Sequence, residues 1–466
     1  MTTVRTSPHD INLPFLPAVL DESAMDREFE RQLCARQRTN IQVISCAIER
    51  VKYRPQRNCL VGYKLTLRDG NAEFEQRLYL GTFAAEEARA RYEKSLAEAR
   101  VDTALFAPVT LLSSFNAVVW AFPNDRTLTS LVNFDNAALL RESMLRDVVA
   151  AHWGKDWEIA GVSQRISNYF PEHSCCVNVK VSMRHLENND RRDWEIIGKM
   201  RYDDAGAESH DVMNALCRIK HTDVACARSL AYQPTQRVHW QARVPGVTLN
   251  SLLAAGSADS TILQRVGRAV AALHSTPVMT PRRFSVDNLV ANLVHAKNVI
   301  TASRPDCSIA VRRVIEFLLD RADRLDSNAG VACHGDLHSN NILVSPSQIY
   351  LVDMDRVTNG PPLADLGSFL AELAYRACAK NQALHVVQAK LNAVIVAYRE
   401  RASWPVIDDD IAWHTASALI HERALRCITS LKPGRAELLE NIIATAERIA
   451  KNGLISESFE TSGRAA

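Results

Sequence analysis

The sequence predicts an α+β fold, sheet-rich in its first half and helical in its second. Three observations carry that reading. A repeat occupies the first 250 residues, long helical patterns run from Ser257 onward, and one strand–loop–strand island at residues 331–366 interrupts them.

The repeat is clearest where Tyr53–Arg68 lies over Tyr169–Arg184, with identities at Tyr, Pro, Cys, Val, Lys and Arg. Six matches in sixteen positions exceed the one or so that composition would produce. The correspondence continues through Gly81 and Gly198, Trp120 and Trp240, Pro123 and Pro245, and Thr127-Leu128 against Thr248-Leu249. Each copy opens on a proline turn, passes into alternating β-branched and apolar residues at 60–67 or 176–183, and runs on to a helical stretch. A small sheet with one helix, present twice, is the expectation. After the shared glycine the second copy has Lys199 and the first has Thr82, so only the second can use a lysine there.

Composition narrows the function. At 466 residues the chain exceeds one ordinary core, and at 47% hydrophobic and 23% charged it has the balance of a folded protein. A net charge of +2, from 55 basic and 53 acidic side chains, supplies no field to gather nucleic acid or coat an anionic membrane. The longest apolar candidate, 384–398, is interrupted by Gln388, Lys390 and Asn392, so no membrane span is expected. The first 22 residues carry Asp10 and Pro14 and lack a signal-peptide core, which points to a cytoplasmic protein. Eleven scattered cysteines, without metal-type spacing, read as reduced core thiols.

The island carries the chemistry. A short apolar run, Val331-Ala332-Cys333, leads into polar His334–Asn341, and residues 342–344 and 349–352 form a hairpin around 345–348. Asp336, Asn341 and Asp353 thus emerge from strand ends. Phosphoryl transfer needs a group that orients and deprotonates a hydroxyl, and hard oxygens for the Mg²⁺ that bridges the phosphates. Those three residues can supply both.

With His-Gly-Asp-x-x-x-x-Asn at 334–341, then Val352-Asp-Met-Asp-Arg356 and Pro362-Leu-Ala-Asp-Leu-Gly367, the chain resembles the aminoglycoside phosphotransferase and choline kinase family. The resemblance covers roughly residues 157–430. It implies a bilobal protein-kinase-like fold: a small antiparallel-sheet lobe at 150–250 that binds ATP, and a helical large lobe at 251–466 containing the catalytic loop. It also implies Asp336 as catalytic base, Asn341 and Asp353 as Mg²⁺ ligands, and a small-molecule hydroxyl as acceptor. Gly335 stands where protein kinases carry the arginine of His-Arg-Asp, which argues against a protein substrate. Asp355 is a further ligand or a cap, and Asp365 a brace for the loop.

Upstream, Lys199 resembles the small-lobe strand lysine that pairs with the α- and β-phosphates, and 207–216 resembles its partner helix. Glu208 is the first choice to hold the lysine and Asp211 the second. Trp240–Gly246 resembles the hinge, with Gln241 to Arg243 beside the adenine. No Gly-x-x-x-x-Gly-Lys-Ser/Thr is present, so the turn 171–174 must cover the phosphates without glycines. Residues 39–135, after an N-terminal segment 1–38, then form a degenerate small lobe that packs on the working kinase or forms a homodimer. Glu372, Asp408, Asp409, Asp410 and Glu422 are candidates to meet a cationic acceptor. A nucleotide-binding pseudokinase or regulatory scaffold is the alternative function.

Overall fold

A computed structural model describes residues 8–38, 40–85, 87–97, 101–103, 105–219, 223–325 and 330–454. The chain divides into two compact units, each taken by itself below. The first comprises residues 1–206, 230–242 and 428–436, and the second comprises 207–229, 243–427 and 437–466.

Two antiparallel sheets build the first unit. β1 Ile41–Arg54, β2 Asn58–Asp69, β3 Ala72–Phe83, β4 Val109–Leu112 and β5 Ala117–Ala121 pair in the order β1-β2-β3-β5-β4. The second sheet starts with β6 Trp157–Phe170, β7 Ser174–His185 and β8 Arg191–Arg201. After them β9 Val224–Cys226 joins the other unit, and β10 Ser229–Gln233 and β11 Val238–Ala242 complete the order β6-β7-β8-β11-β10. The two sheets therefore share one strand order.

Strand alternation gives each sheet one face against helices. On the first, the helix Glu22–Ala35 buries Met25, Phe29 and Leu33 against a core that includes Val61, Tyr63 and Leu65. The Phe29 and Tyr63 rings meet edge to face at 5.3 Å. On the second, residues 131–153 contribute Phe134, Leu145, Val148 and Val149 to a core with Val177, Val179, Met200 and Trp240. Sequence reading left 136–149 unassigned; these residues fold as the helical cover of the second sheet.

The same clasp closes both hairpin turns. Asp10 Oδ2 accepts from the Tyr53 hydroxyl at 2.8 Å and the Gln56 amide at 2.7 Å. Asp125 Oδ2 accepts from the Tyr169 hydroxyl at 2.7 Å and the Glu172 amide at 2.9 Å. Gln56 and Glu172 both adopt left-handed backbone, with φ of 61° and 58°. Asp125 also accepts from the Thr127 and Leu128 amides, while Arg126 grips Glu172 through two bonds of 2.9 and 2.6 Å. Arg50 of the first sheet lies 3.6 Å from the Phe170 ring centroid and donates to Asn168 at 3.0 Å. The first sheet thus packs on the β6–β7 hairpin. Asp125→Ala leaves several buried donors unpaired and is expected to lower stability by about 2–3 kcal/mol. An unchanged urea midpoint would refute this.

Strand register corrects the alignment of the repeat. Tyr53 and Tyr169 begin equivalent hairpins, and Leu60 pairs with Gly81 where Cys176 pairs with Lys199. Gly81, not Thr82, occupies the rung of Lys199. Along the next strand Trp120 pairs with Tyr79, and Gln241 with Ile197, so Trp120 shares its rung with Gln241 and not with Trp240. The identities of Gly81 with Gly198 and Trp120 with Trp240 are one residue out of step, and a one-residue slip reverses faces.

In the second unit, β12 Val247–Thr248, β14 Ile342–Val344, β15 Ile349–Leu351 and β9 form a four-stranded sheet, while β13 Val331–Cys333 pairs with β16 Thr358–Gly360. Around them pack Ser260–His274, Val286–Ser303, Ser308–Ala322, Pro362–Ala379, His385–Arg401, Asp408–Ala418 and Leu439–Asn452. Pro362–Ala379 is buried on nearly every side and is the central helix against which the loop after β13 is fastened. Among the described residues, no helix is long and apolar enough to cross a membrane.

Candidate active site

The loop between β13 and β14 is held from beneath by one carboxylate. Asp365, in the first turn of Pro362–Ala379 and 4% exposed, accepts from the His334 amide and, at 2.9 Å, from the Gly335 amide. His274 Nε2 lies 3.2 Å from it and His274 Nδ1 lies 2.8 Å from the Tyr398 hydroxyl. Burial pushes the Asp365 carboxyl up, but hydrogen bonding to His274, the charges of His274 and His334, and the Gly335 amide carry it below its ordinary value. Gly335 has φ of +75°, and a Cβ there would stand 2.1 Å from the Arg356 carbonyl oxygen. No larger residue fits, which is the physical reason that the arginine of His-Arg-Asp is absent.

A second buried carboxylate anchors the far half of the loop. Glu372 accepts from the Ser339 amide at 2.7 Å and the Ser339 hydroxyl at 2.5 Å, and Arg376 lies 3.0 Å away. Burial would raise Glu372, but the two Ser339 bonds with the Arg423 and Arg376 charges hold it below its ordinary range. Glu372, considered from sequence as a contact for a cationic acceptor, is instead 8% exposed and structural. Glu422 accepts from the Ser368 hydroxyl at 2.9 Å, and Asp408 pairs with Arg399.

Between these anchors three of the expected site residues come together. Asn341 donates through Nδ2 to the Asp336 carbonyl at 3.0 Å, and the Val352 amide donates to the Asn341 carbonyl at 3.0 Å. Asn341 therefore ties the backbone of Asp336 to the residue before Asp353. Asp353 itself has φ 63° and ψ 50°, where the chain leaves β15 and enters the turn Met354–Arg356. His334, fully buried, meets the Val352 carbonyl through Nε2 at 2.9 Å. Commitment of Asn341 Nδ2 to Asp336 leaves its Oδ1 as the oxygen able to face a cation, and the carboxylate of Asp353 is the other hard oxygen donor of the kind that could hold Mg²⁺. Burial lowers His338 from its ordinary value, against the opposing charges of Asp336 and Glu372.

The other expected residues lie on different elements. Lys199 is on β8, opposite His239, and Gln241 is opposite Ile197, so Lys199, His239 and Gln241 share the face turned away from the helical cover. The Gln241 side chain is buried and meets His239 Nδ1 at 3.1 Å. Trp240 faces the opposite core, where its ring fills the space beside Gly198: a Cβ on Gly198 would lie 2.6 Å from it. Arg243 follows β11, and the chain passes from the first unit to the second between Ala242 and Arg243. Glu208, in the first turn of Ala205–Arg218, forms an ion pair with Arg282 at 2.6 Å. Arg282 also donates to the Asp355 carbonyl at 2.7 Å, and Asp355 is 4% exposed.

On the first sheet the face equivalent to that of Lys199 is paved with aromatics. Tyr79 stacks on Trp120 at 4.6 Å with planes 6° apart, and Phe83, Val109 and Val118 complete a cluster covered by Ala88 and Tyr92. Gly81 leaves the rung of the lysine without a side chain, and a Cβ there would strike the Phe83 ring at 2.6 Å.

Residues 199–404 match the model of the phosphotransferase enzyme family. That segment belongs to this family. The match begins at Lys199, takes in Asp336, Asn341 and Asp353, and leaves the first sheet outside. Similar solved structures include a Ralstonia eutropha protein provisionally assigned as an aminoglycoside phosphotransferase, at 15% identity and TM-score 0.46, covering 66% of this chain and 98% of that one. A choline/ethanolamine kinase family protein of Mesorhizobium loti aligns at 14% identity and TM-score 0.43, covering 66% and 94%. The macrolide 2′-phosphotransferase of Brachybacterium faecium aligns at 15% identity and TM-score 0.38, covering 68% and 98%. No curated protein sequence matches the chain.

Sequence reasoning missed Arg282, His274 and the roles of Ser339, Glu372 and Arg376. The Glu372/Arg376 spacing of four on a helix was the one local signal. His274 and Arg282 carry none, because their partners are more than 70 residues away.

Proposed function

We propose that this protein transfers the γ-phosphoryl group of ATP, with Mg²⁺, to a hydroxyl of a small molecule of the aminoglycoside, sugar or amino alcohol class. The observation that carries this reading is the Asn341 side chain joined to the Asp336 backbone, within a segment of the phosphotransferase family. Asp336, half-buried and held by its backbone, accepts the proton of the attacking hydroxyl and orients its oxygen. Asn341 Oδ1 and Asp353 hold Mg²⁺, which neutralises phosphate charge when bound. Lys199 contacts the α- and β-phosphates, and the strand around Gln241 to Arg243 lies along the base. Gly335, where an arginine would serve a phosphorylated activation loop, favours a small-molecule acceptor. The first sheet, whose equivalent face is aromatic, serves as a support for the β6–β7 turn and takes no part in phosphate binding.

A thermal-shift titration with Mg²⁺·ATP tests the metal assignment. Ligand at about 100 times its dissociation constant adds roughly 2.7 kcal/mol, a visible rise in Tm. The rise is expected in the wild type, to depend on Mg²⁺, and to be lost in Asp353→Ala. An equal rise in that variant would reject Asp353 as a ligand. A nucleotide-binding pseudokinase is the second reading, favoured by the pairing of Glu208 with Arg282; it predicts a shift with nucleotide and no ADP formed with any alcohol.

A further inference from the structure

At the end of the helix Ala205–Arg218 is a pair of thiols that phosphoryl transfer does not use. Cys217, in its last turn, and Cys226, the last residue of β9, bring their sulfurs to 3.7 Å. Seven of the eleven cysteines are buried, as the sequence led us to expect, but Cys217 is exposed and Cys226 half-buried. Both line an apolar cavity of about 280 Å³, together with Leu216, Leu273, Leu351 and Met354. The hydrogen bond shared with Cys226, against the opposing effect of burial and with help from Arg228, brings Cys217 down to about 7, while the Cys217 sulfur also lies 3.6 Å from the Ala227 carbonyl. The same bond, with burial, pushes Cys226 up. The exposed Cys217 is therefore the sulfur a reagent meets first, and half-buried Cys226 stands within reach behind it.

We propose that Cys217 and Cys226 form an oxidative modification site, a dithiol that reacts with a hydroperoxide and closes to an intramolecular disulfide. The Cys217 thiolate attacks the distal peroxide oxygen, the O–O bond breaks, and the leaving oxygen takes a proton and departs as alcohol or water. Cys217 is then a sulfenic acid. The Cys226 sulfur, giving up its proton, attacks the Cys217 sulfur and displaces the hydroxyl as water. Two thiols and one hydroperoxide yield a disulfide, one water and one alcohol or second water. A disulfide needs about 2.05 Å, so the sulfurs must close by roughly 1.7 Å, a movement that side-chain rotation at a helix end can supply.

The site adjoins the catalytic strand. Cys226 pairs in parallel register with Leu351, two residues before Asp353. A closed disulfide would tie the helix bearing Glu208 to the strand beside β15. Its effect on phosphoryl transfer rests on the assignment of Asp353 above, whereas disulfide formation does not.

The test treats the folded full-length protein with one equivalent of hydrogen peroxide and digests it under non-reducing conditions. Tryptic peptides 202–218 and 221–228 are expected to appear linked, 2 Da below the sum of the separate peptides, and to separate with dithiothreitol. Cys226→Ser should instead retain a dimedone-reactive sulfenic acid at Cys217, and Cys217→Ser should leave Cys226 unmodified. Alkylation by iodoacetamide at pH 7 should reach exposed Cys217 faster than half-buried Cys226. The proposal is overturned if the linked peptides are absent, or if exposed Cys34 is oxidised as fast as Cys217 while no link forms.

Discussion

Asp336→Asn is expected to lower the rate of ADP formation with Mg²⁺·ATP and an accepted alcohol by about 100- to 10,000-fold, the usual contribution of a general base. The substitution keeps shape and volume, and the features that hold residue 336 do not involve its carboxylate. Its carbonyl is bound by Asn341, and the two preceding amides are bound by Asp365. The fold and the Mg²⁺·ATP thermal shift should therefore survive, so the loss appears in kcat. Initial rates across a panel of aminoglycosides, sugars and amino alcohols provide the measurement. A variant as active as the wild type would remove Asp336 from the chemistry.

Asp365→Ala is expected to destabilise the second unit by about 3–5 kcal/mol, as removal of one member of a buried charged network does. Two loop amides and His274 lose their acceptor at once. That amounts to a fall in Tm of order 10 °C. The pH dependence follows from the direction of the Asp365 shift. Its folded pKa is depressed, so its contribution is fully present above the ordinary value of 3.8 and is lost as pH falls through the folded value. The gap between wild type and variant should hold from neutral pH to about pH 5 and narrow below pH 4. Urea titrations at pH 7 and pH 3.5 measure it; a gap that widens with acid would show that the carboxylate is not the stabilising form.

Parts of this site were legible because their signals are local. His334, Gly335, Asp336, Asn341 and Asp353 fall within twenty residues, and turn residues flanked by β-branched runs betray the strands that carry them. The repeat was legible at Tyr53 and Tyr169, where a proline turn and a short identical pattern survive together. Register was not legible. Gly81 matches Gly198 as a letter, yet hydrogen-bonded pairing sets it opposite Leu60 where Lys199 stands opposite Cys176. Loops of different length between strands shift a strand by one position without altering its composition.

The sequence by itself therefore determined the α+β class, the order of sheet and helix, the hairpin of the island and the type of residue at each candidate chemical position. Local periodicity and turn chemistry specify these, since each depends on neighbours within a few residues. Only the tertiary structure decided that Glu208 meets Arg282, that Glu372 is a buried anchor, that Cys217 meets Cys226, and that the first sheet carries aromatics on the face where the second carries Lys199. Those facts depend on which strand faces which helix and on burial. Long-range packing sets them, and a one-residue change of register can reverse them.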